Sequence, residues 1–181
     1  DAGARLGHEP SSVRCGQGPL IVAEVDESDR SFLGLRPTHA VVTNVELDHT
    51  NCYRDQEDVE DAFTQFVEGL PFYGRVFACS DDPGAGAVLK KVHHRVVTYG
   101  LSGGVDYSAD VIRFGPFSVA FELRVRTQTL GEICLPLGGQ HNLLNSLAAA
   151  AVGHALEVSF EDVKAGLEGF QGAERRLQRK G

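Results

Sequence analysis

The stretch Leu20–Asp29, LIVAEVDESD, decides how the rest of the chain is read. Its first six residues, Leu20-Ile21-Val22-Ala23-Glu24-Val25, have the length and β-branched content of a buried strand, although periodicity alone does not separate that from a buried helix segment. The run breaks into Asp26-Glu27-Ser28-Asp29. In open α/β sheets the ligand crevice lies beyond the carboxyl ends of the strands, so an acidic cluster placed there faces whatever binds. Three carboxylates this close repel one another, and a hard cation such as Mg²⁺, which takes one or two carboxylates plus substrate phosphates, would relieve that. The alternative is a solvated acidic turn.

Working outward, the residues up to Asp1 are rich in Gly, Pro and Ser and read as loop; Gly16-x-Gly18 lacks the third glycine of a dinucleotide fingerprint. On the other side, Ser31–Leu35 reads as a short helix ended by Pro37, and Ala40–Thr43 as a second buried strand running into Asn44-Val45-Glu46-Leu47-Asp48-His49. Val59, Ala62, Phe63, Phe66, Val67 and Leu70 have the spacing of an amphipathic helix that Asp55 or Asp58 could cap. Arg75–Cys79 reads as a strand, Pro83–Val92 as a short helix and Arg95–Tyr99 as a further strand. Alternation of strand and helix through 20–99 predicts an α/β class with parallel pairing and three layers.

The pattern then changes. Segments 106–114, 117–126 and 132–135 are β-rich between turns and predict a small antiparallel addition. Helices are expected over 142–156 and, with Glu161 and Asp162 in its first turn, over 159–170.

The 181 residues suffice for one sizeable core. Hydrophobic content of 42% with 23% charged residues describes a globular domain rather than a disordered chain. A net charge of −8 opposes non-specific nucleic-acid or anionic-membrane binding, which depends on Lys and Arg, but not nucleotide binding. Cys15, Cys52, Cys79 and Cys134 have neither zinc-site nor disulfide-framework spacing, so a reduced cytoplasmic setting is expected, and no apolar run approaches 18 residues.

Candidate chemistry gathers at a few points. Asp48-His49 follows one strand as the acidic cluster follows the other, so parallel neighbours would bring Glu27 and His49 to one crevice; a solvated loop histidine is the alternative. Asn142 and Asn145 share a helix face after His141, where two amides can read a base edge or cap the helix. Arg175-Arg176 suits a phosphate clamp, or is solvated. His93-His94 and Asp81-Asp82-Pro83 read as helix ends. No Gly-Lys dipeptide occurs, hence no G-x-x-x-x-G-K-[ST] phosphate loop.

Together AEVDESD (23–29), VVTNVELDH (41–49), LPFYG (70–74), GGQHNLLNSLAAAA (138–151) and FQGAERRLQ (170–178) resemble, in order, the central ATP-binding domain of the Mur ligase family, which builds the peptide stem of bacterial peptidoglycan. The resemblance implies a P-loop NTPase-like sheet, incomplete at its N-terminus, with 1–174 a partial central domain lacking the phosphate loop and 175–181 a hinge to a further domain. Asp-Glu-Ser-Asp followed by Ser31-Phe32-Leu33 is most similar to members that join L-alanine to UDP-N-acetylmuramate. That subtype also fits the lack of any Lys between Arg54 and Leu89, since several other Mur ligases carry a carbamylated lysine there. Leu177 stands where Phe is usual.

The roles implied are Glu27 as a Mg²⁺ ligand at the γ-phosphate of ATP and His49 at a second metal site. His141, Asn142 and Asn145 would lie at the adenine, Arg176 near the phosphates, and Arg5 in a loop facing the UDP-sugar. The implied activity is acyl phosphate formation followed by amide synthesis in the cytoplasm, with the 181-residue chain inactive alone. Another Mur or folylpolyglutamate-type ligase, or a nucleotide-binding α/β domain without chemistry, are the alternatives.

Overall fold

The computed structural model describes residues 15–172. Residues 26–171 form one compact unit, and residues 15–25 belong to another. Within that other unit the expected opening strand is not formed. Residues 20–25 adopt neither strand nor helix, and Ile21 and Val22 are 94% and 93% exposed. A strand is stable only inside a ladder of paired N–H and C=O groups, and residues 20–25 join no ladder among the described residues. The expected pairing of Leu20–Val25 with Ala40–Thr43 is therefore corrected.

The unit 26–171 is α/β, as expected. Its strands are β1 (His39–Val42), β2 (Arg75–Cys79), β3 (Arg95–Tyr99), β4 (Tyr107–Phe114), β5 (Val119–Val125) and β6 (Gln128–Leu135), joined in that order in one sheet. β1, β2 and β3 pair in parallel in continuous register. β3 and β4 are parallel only at Tyr99 and Tyr107, after which β4, β5 and β6 form the antiparallel addition.

Four helices cover the sheet: α1 (Gln56–Glu68), α2 (Pro83–Leu89), α3 (Gln140–Ala155) and α4 (Phe160–Glu168). Short polar side chains start three of them by accepting a backbone N–H that has no partner inside the helix. Asp55 accepts from Asp58, Asp82 from Ala85 and Ser159 from Asp162. α3 instead opens on Gly139 at φ 100°, a conformation that favours glycine. A short 3₁₀ turn, Ser31–Gly34, packs Phe32 against Phe63 and Phe66 of α1.

Strand β2 shows the layering. Val76 and Ala78 join Ala40, Val42, Val59 and Val88 in a core under α1 and α2. Phe77 and Cys79 join Tyr99, Phe121, Leu143 and Leu147 in a second core under α3. Successive strand residues point to opposite faces, so a strand buried along its length is covered on both. That is the three-layer arrangement.

Candidate functional site

Consider first how the acidic cluster is arranged. Asp26 accepts the Ser28 N–H at 2.7 Å and Asp29 accepts the Ser31 N–H at 2.8 Å. Hydrogen bonds from Ser28 and Ser31 hold these two carboxyls below the usual carboxylate range. Two of the three carboxylates thus shape the turn locally, as the solvated-turn alternative supposed. Glu27, between them, reaches across to the other loop, where its Oε1 lies 4.0 Å from His49 Nε2. The sequence expectation that these two residues meet is realised, although its stated reason, a strand at 20–25, is not.

The His49 loop follows β1 at the carboxyl end of the parallel strands and is anchored from below. Asp82 accepts the Val45 N–H at 3.0 Å with the same oxygen that caps α2. Gln56 donates to the Val45 carbonyl at 3.0 Å. A Cβ on Gly84 would collide with that carbonyl, so the first turn of α2 must carry glycine to lie this close. His49 itself sits at φ 53°, with its N–H bonded to Asp48 Oδ1 at 2.8 Å. The left-handed conformation costs a non-glycine residue about 1 kcal/mol. Asp82, Gly84 and Gln56 were not among the residues singled out in the sequence for a site. The sequence marks Asp82 only as a helix end, because a capping aspartate looks the same whether or not it also holds a distant loop.

As a cation site the pair fits unevenly. The Glu27 oxygens are hard donors of the kind Mg²⁺ accepts beside phosphate oxygens and water. The His49 imidazole suits softer divalent ions better. Among the described residues no group of three or more His, Cys, Asp or Glu is placed to hold a metal ion. A cation here would complete its shell with oxygens of a ligand and of water.

The amides lie elsewhere, on α3. Asn142 and Asn145 line a groove of about 410 Å³ whose apolar wall includes Leu135, Leu137, Ala149 and Phe170. The groove is large enough for a planar heterocycle, with polar groups at one side. Asn142 donates to the Gly138 carbonyl at 2.6 Å, so part of its capacity closes the α3 entry, while Asn145 is exposed. His141 is exposed and does not line the groove. Arg5, Arg175 and Arg176 lie outside the described residues.

A smaller cavity of about 240 Å³ lies over β4–β6 between Tyr107, Ala150, His154 and Phe160. The Tyr107 hydroxyl and His154 Nδ1 are 2.7 Å apart at its edge.

Residues 17–153 match the Mur ligase middle domain. The chain is 43% identical over 179 residues to the UDP-N-acetylmuramate–L-alanine ligase of Syntrophus aciditrophicus, covering 99% of this chain and 37% of that protein. It is also 43% identical to the ligase of the same name from Geotalea daltonii, covering 39% of it. The chain therefore spans well under half the length of these relatives. Among solved structures it resembles MurF from Acinetobacter baumannii, with a TM-score of 0.71 at 26% identity over 81% of this chain and 32% of that one. It shares the fold of the UDP-N-acetylmuramate–alanine ligase from Thermotoga maritima, with a TM-score of 0.69 at 24% identity over 83% and 33% of the two chains. The chain belongs to the Mur ligase family and carries its middle domain.

Proposed function

We propose that this chain is the ATP-binding part of a ligase that joins L-alanine to UDP-N-acetylmuramate in peptidoglycan precursor synthesis. Relatives of that name, 43% identical across nearly all of the chain, support the choice of acceptor. The observation that carries the chemistry is the meeting of Glu27 with His49 beyond the end of β1.

In this reading ATP's γ-phosphoryl passes to the muramate carboxylate, giving an acyl phosphate and ADP. The amine of L-alanine then attacks the acyl carbon, and phosphate leaves as the amide forms. Such transfer is mainly positioning and charge neutralisation, so no protein nucleophile is required. Glu27 would hold Mg²⁺ through its carboxylate, with His49 beside it; the cation supplies neutralisation of phosphate charge. Asn142 and Asn145 would orient the base in their groove. Arg176 would approach the phosphates and Arg5 the UDP-sugar, both by family resemblance.

The test is phosphate release by a full-length protein carrying this chain, given ATP, UDP-N-acetylmuramate and a panel of amino acids. Turnover with L-alanine and not with D-glutamate or diaminopimelate is expected. Preference for another amino acid would overturn the acceptor assignment, and absence of any turnover would favour a domain without chemistry. The 181-residue chain by itself is expected to release no phosphate.

A further inference from the structure

One residue touches both halves of the proposed cation site. Tyr53 is 2% exposed, and its backbone N–H donates to the His49 carbonyl at 3.2 Å. Its hydroxyl donates to the Glu27 carbonyl at 2.7 Å. The Glu27 carbonyl also accepts the Arg30 N–H at 3.2 Å, which fills both lone pairs and fixes the backbone from which the carboxylate extends.

Arg30 closes the connection from the other side. Its Nε donates to the Cys52 carbonyl at 3.2 Å, a terminal nitrogen lies 2.6 Å from Asp58 Oδ2 in the first turn of α1, and its guanidinium carbon sits 4.4 Å from the centre of the Tyr53 ring. A planar fork can meet a carbonyl, a carboxylate and a ring face at once, which an ammonium cannot. Arg30 holds φ 61° while doing so. Packing two loops together would need only apolar contact. Here Tyr53 bonds the main chain of Glu27 and His49 themselves, and Arg30 bonds the carbonyl of Cys52, whose own N–H donates to the His49 carbonyl at 2.7 Å.

We infer that Tyr53 and Arg30 are positioning residues that hold the Glu27 loop at a set distance from the His49 loop and thereby determine how tightly the site takes a divalent cation. The inference rests on the cation-site reading above. Neither residue touches the cation; the Tyr53 hydroxyl acts through the backbone of Glu27, and the Arg30 side chain acts through Cys52, Asp58 and the Tyr53 ring. Removing a group that orients a metal ligand weakens binding by about 10-fold to 100-fold.

The experiment uses a full-length protein carrying this chain, saturated with a non-hydrolysable ATP analogue and titrated with Mn²⁺, free Mn²⁺ being read by electron paramagnetic resonance and the thermal midpoint measured alongside. Tyr53→Phe keeps the ring and removes one hydrogen bond; Arg30→Lys keeps the charge and removes the fork. Glu27→Gln tests the underlying site, and Ile133→Val, buried in β6, is a control for lost stability. Tyr53→Phe is expected to weaken Mn²⁺ binding about 10-fold, Arg30→Lys to weaken it as well, and Ile133→Val to leave it unchanged at a comparable loss of thermal midpoint. Weakening by Glu27→Gln with wild-type Mn²⁺ binding in Tyr53→Phe would overturn the positioning role and leave the site standing. Wild-type binding in Glu27→Gln would overturn the site and the inference together. Should Tyr53→Phe fail to fold, Arg30→Lys decides by the same comparison.

Discussion

The loops around Glu27 and His49 and the groove beside Asn142 and Asn145 are held by different forces. The first corner stands on buried Val45 and Tyr53 and is set by hydrogen bonds between residues far apart in sequence, such as Tyr53 to Glu27 and Val45 to Asp82. The second is a gap between packed helices, walled by Leu135, Leu137 and Phe170, with amides at its rim. Directional bonds fix two atoms relative to each other, which suits charge handling, whereas apolar walls tolerate small shifts and suit a flat ligand. Damage to the first should therefore appear in chemistry and cation affinity, and damage to the second in nucleotide affinity.

The largest expected effect breaks the first corner from below. Gly84→Ala places a methyl against the Val45 carbonyl. Overpacking of this kind costs about 1–3 kcal/mol, against which the helix propensity of alanine returns less than about 1 kcal/mol. Gly86→Ala, on the same helix with nothing within 4 Å of the added methyl, is expected to be neutral or slightly stabilising. Urea midpoints of the two variants compare them directly; equal midpoints would show that the Val45 loop is free to move.

The groove should respond in affinity. Asn145→Ala is expected to raise the ATP concentration for half-maximal rate about fivefold, the scale of one lost hydrogen bond, with turnover at saturation preserved. Asn142→Ala should do the same and also lower stability by about 1 kcal/mol, because it removes the bond to the Gly138 carbonyl. A fall in saturating turnover without a change in ATP dependence would move the amides out of the nucleotide site.

An acid titration separates the regions further. Hydrogen bonds from Arg30 and then from the Arg54 N–H lower the Asp58 carboxyl to about 2, whereas an unfolded aspartate titrates near 3.9. Its contribution to stability is present above about pH 4 and is lost as pH falls toward 2. Asp58→Asn should flatten this part of the stability profile; an unchanged profile would show that other carboxylates account for acid unfolding. The smallest effect concerns backbone strain. His49→Gly should be more stable than His49→Ala by about 1 kcal/mol, because only glycine adopts φ 53° without cost.

Much of the scaffold was legible because its signals are local. β2 and β3 have the bounds expected from their β-branched and aromatic runs, and Asp55, Pro83 and Ser159 mark helix starts by local chemistry. The hairpin between β5 and β6 was not legible. It turns at Arg126-Thr127 without the usual Gly or Asn, and Arg126 is held at φ 54° by a 2.7 Å bond from its N–H to the Asp106 carbonyl and a 2.9 Å contact to the Asp106 carboxylate. Strand β6 consequently begins at Gln128, four positions before the expected Glu132.

The site divides in the same way. Glu27, His49, Asn142 and Asn145 were visible as polar breaks beside regular elements. Tyr53 and Arg30 were not, since a tyrosine before a helix and an arginine after an acidic turn carry no mark of the bonds they make across the loops. Leu20–Val25 failed in the opposite sense. Its composition suits a strand, but a strand also requires a partner, which composition does not contain.

The most direct test of the account is Glu27→Gln in a full-length protein carrying this chain, assayed for L-alanine-dependent phosphate release beside the wild type. The substitution keeps shape and removes one charge at the point where Glu27 meets His49. Turnover is expected to fall by about 100-fold or more, the scale of losing one electrostatic contact in the transition state, with an unchanged thermal midpoint. Near-normal turnover in a folded Glu27→Gln protein would contradict the account and remove Glu27 from the reaction.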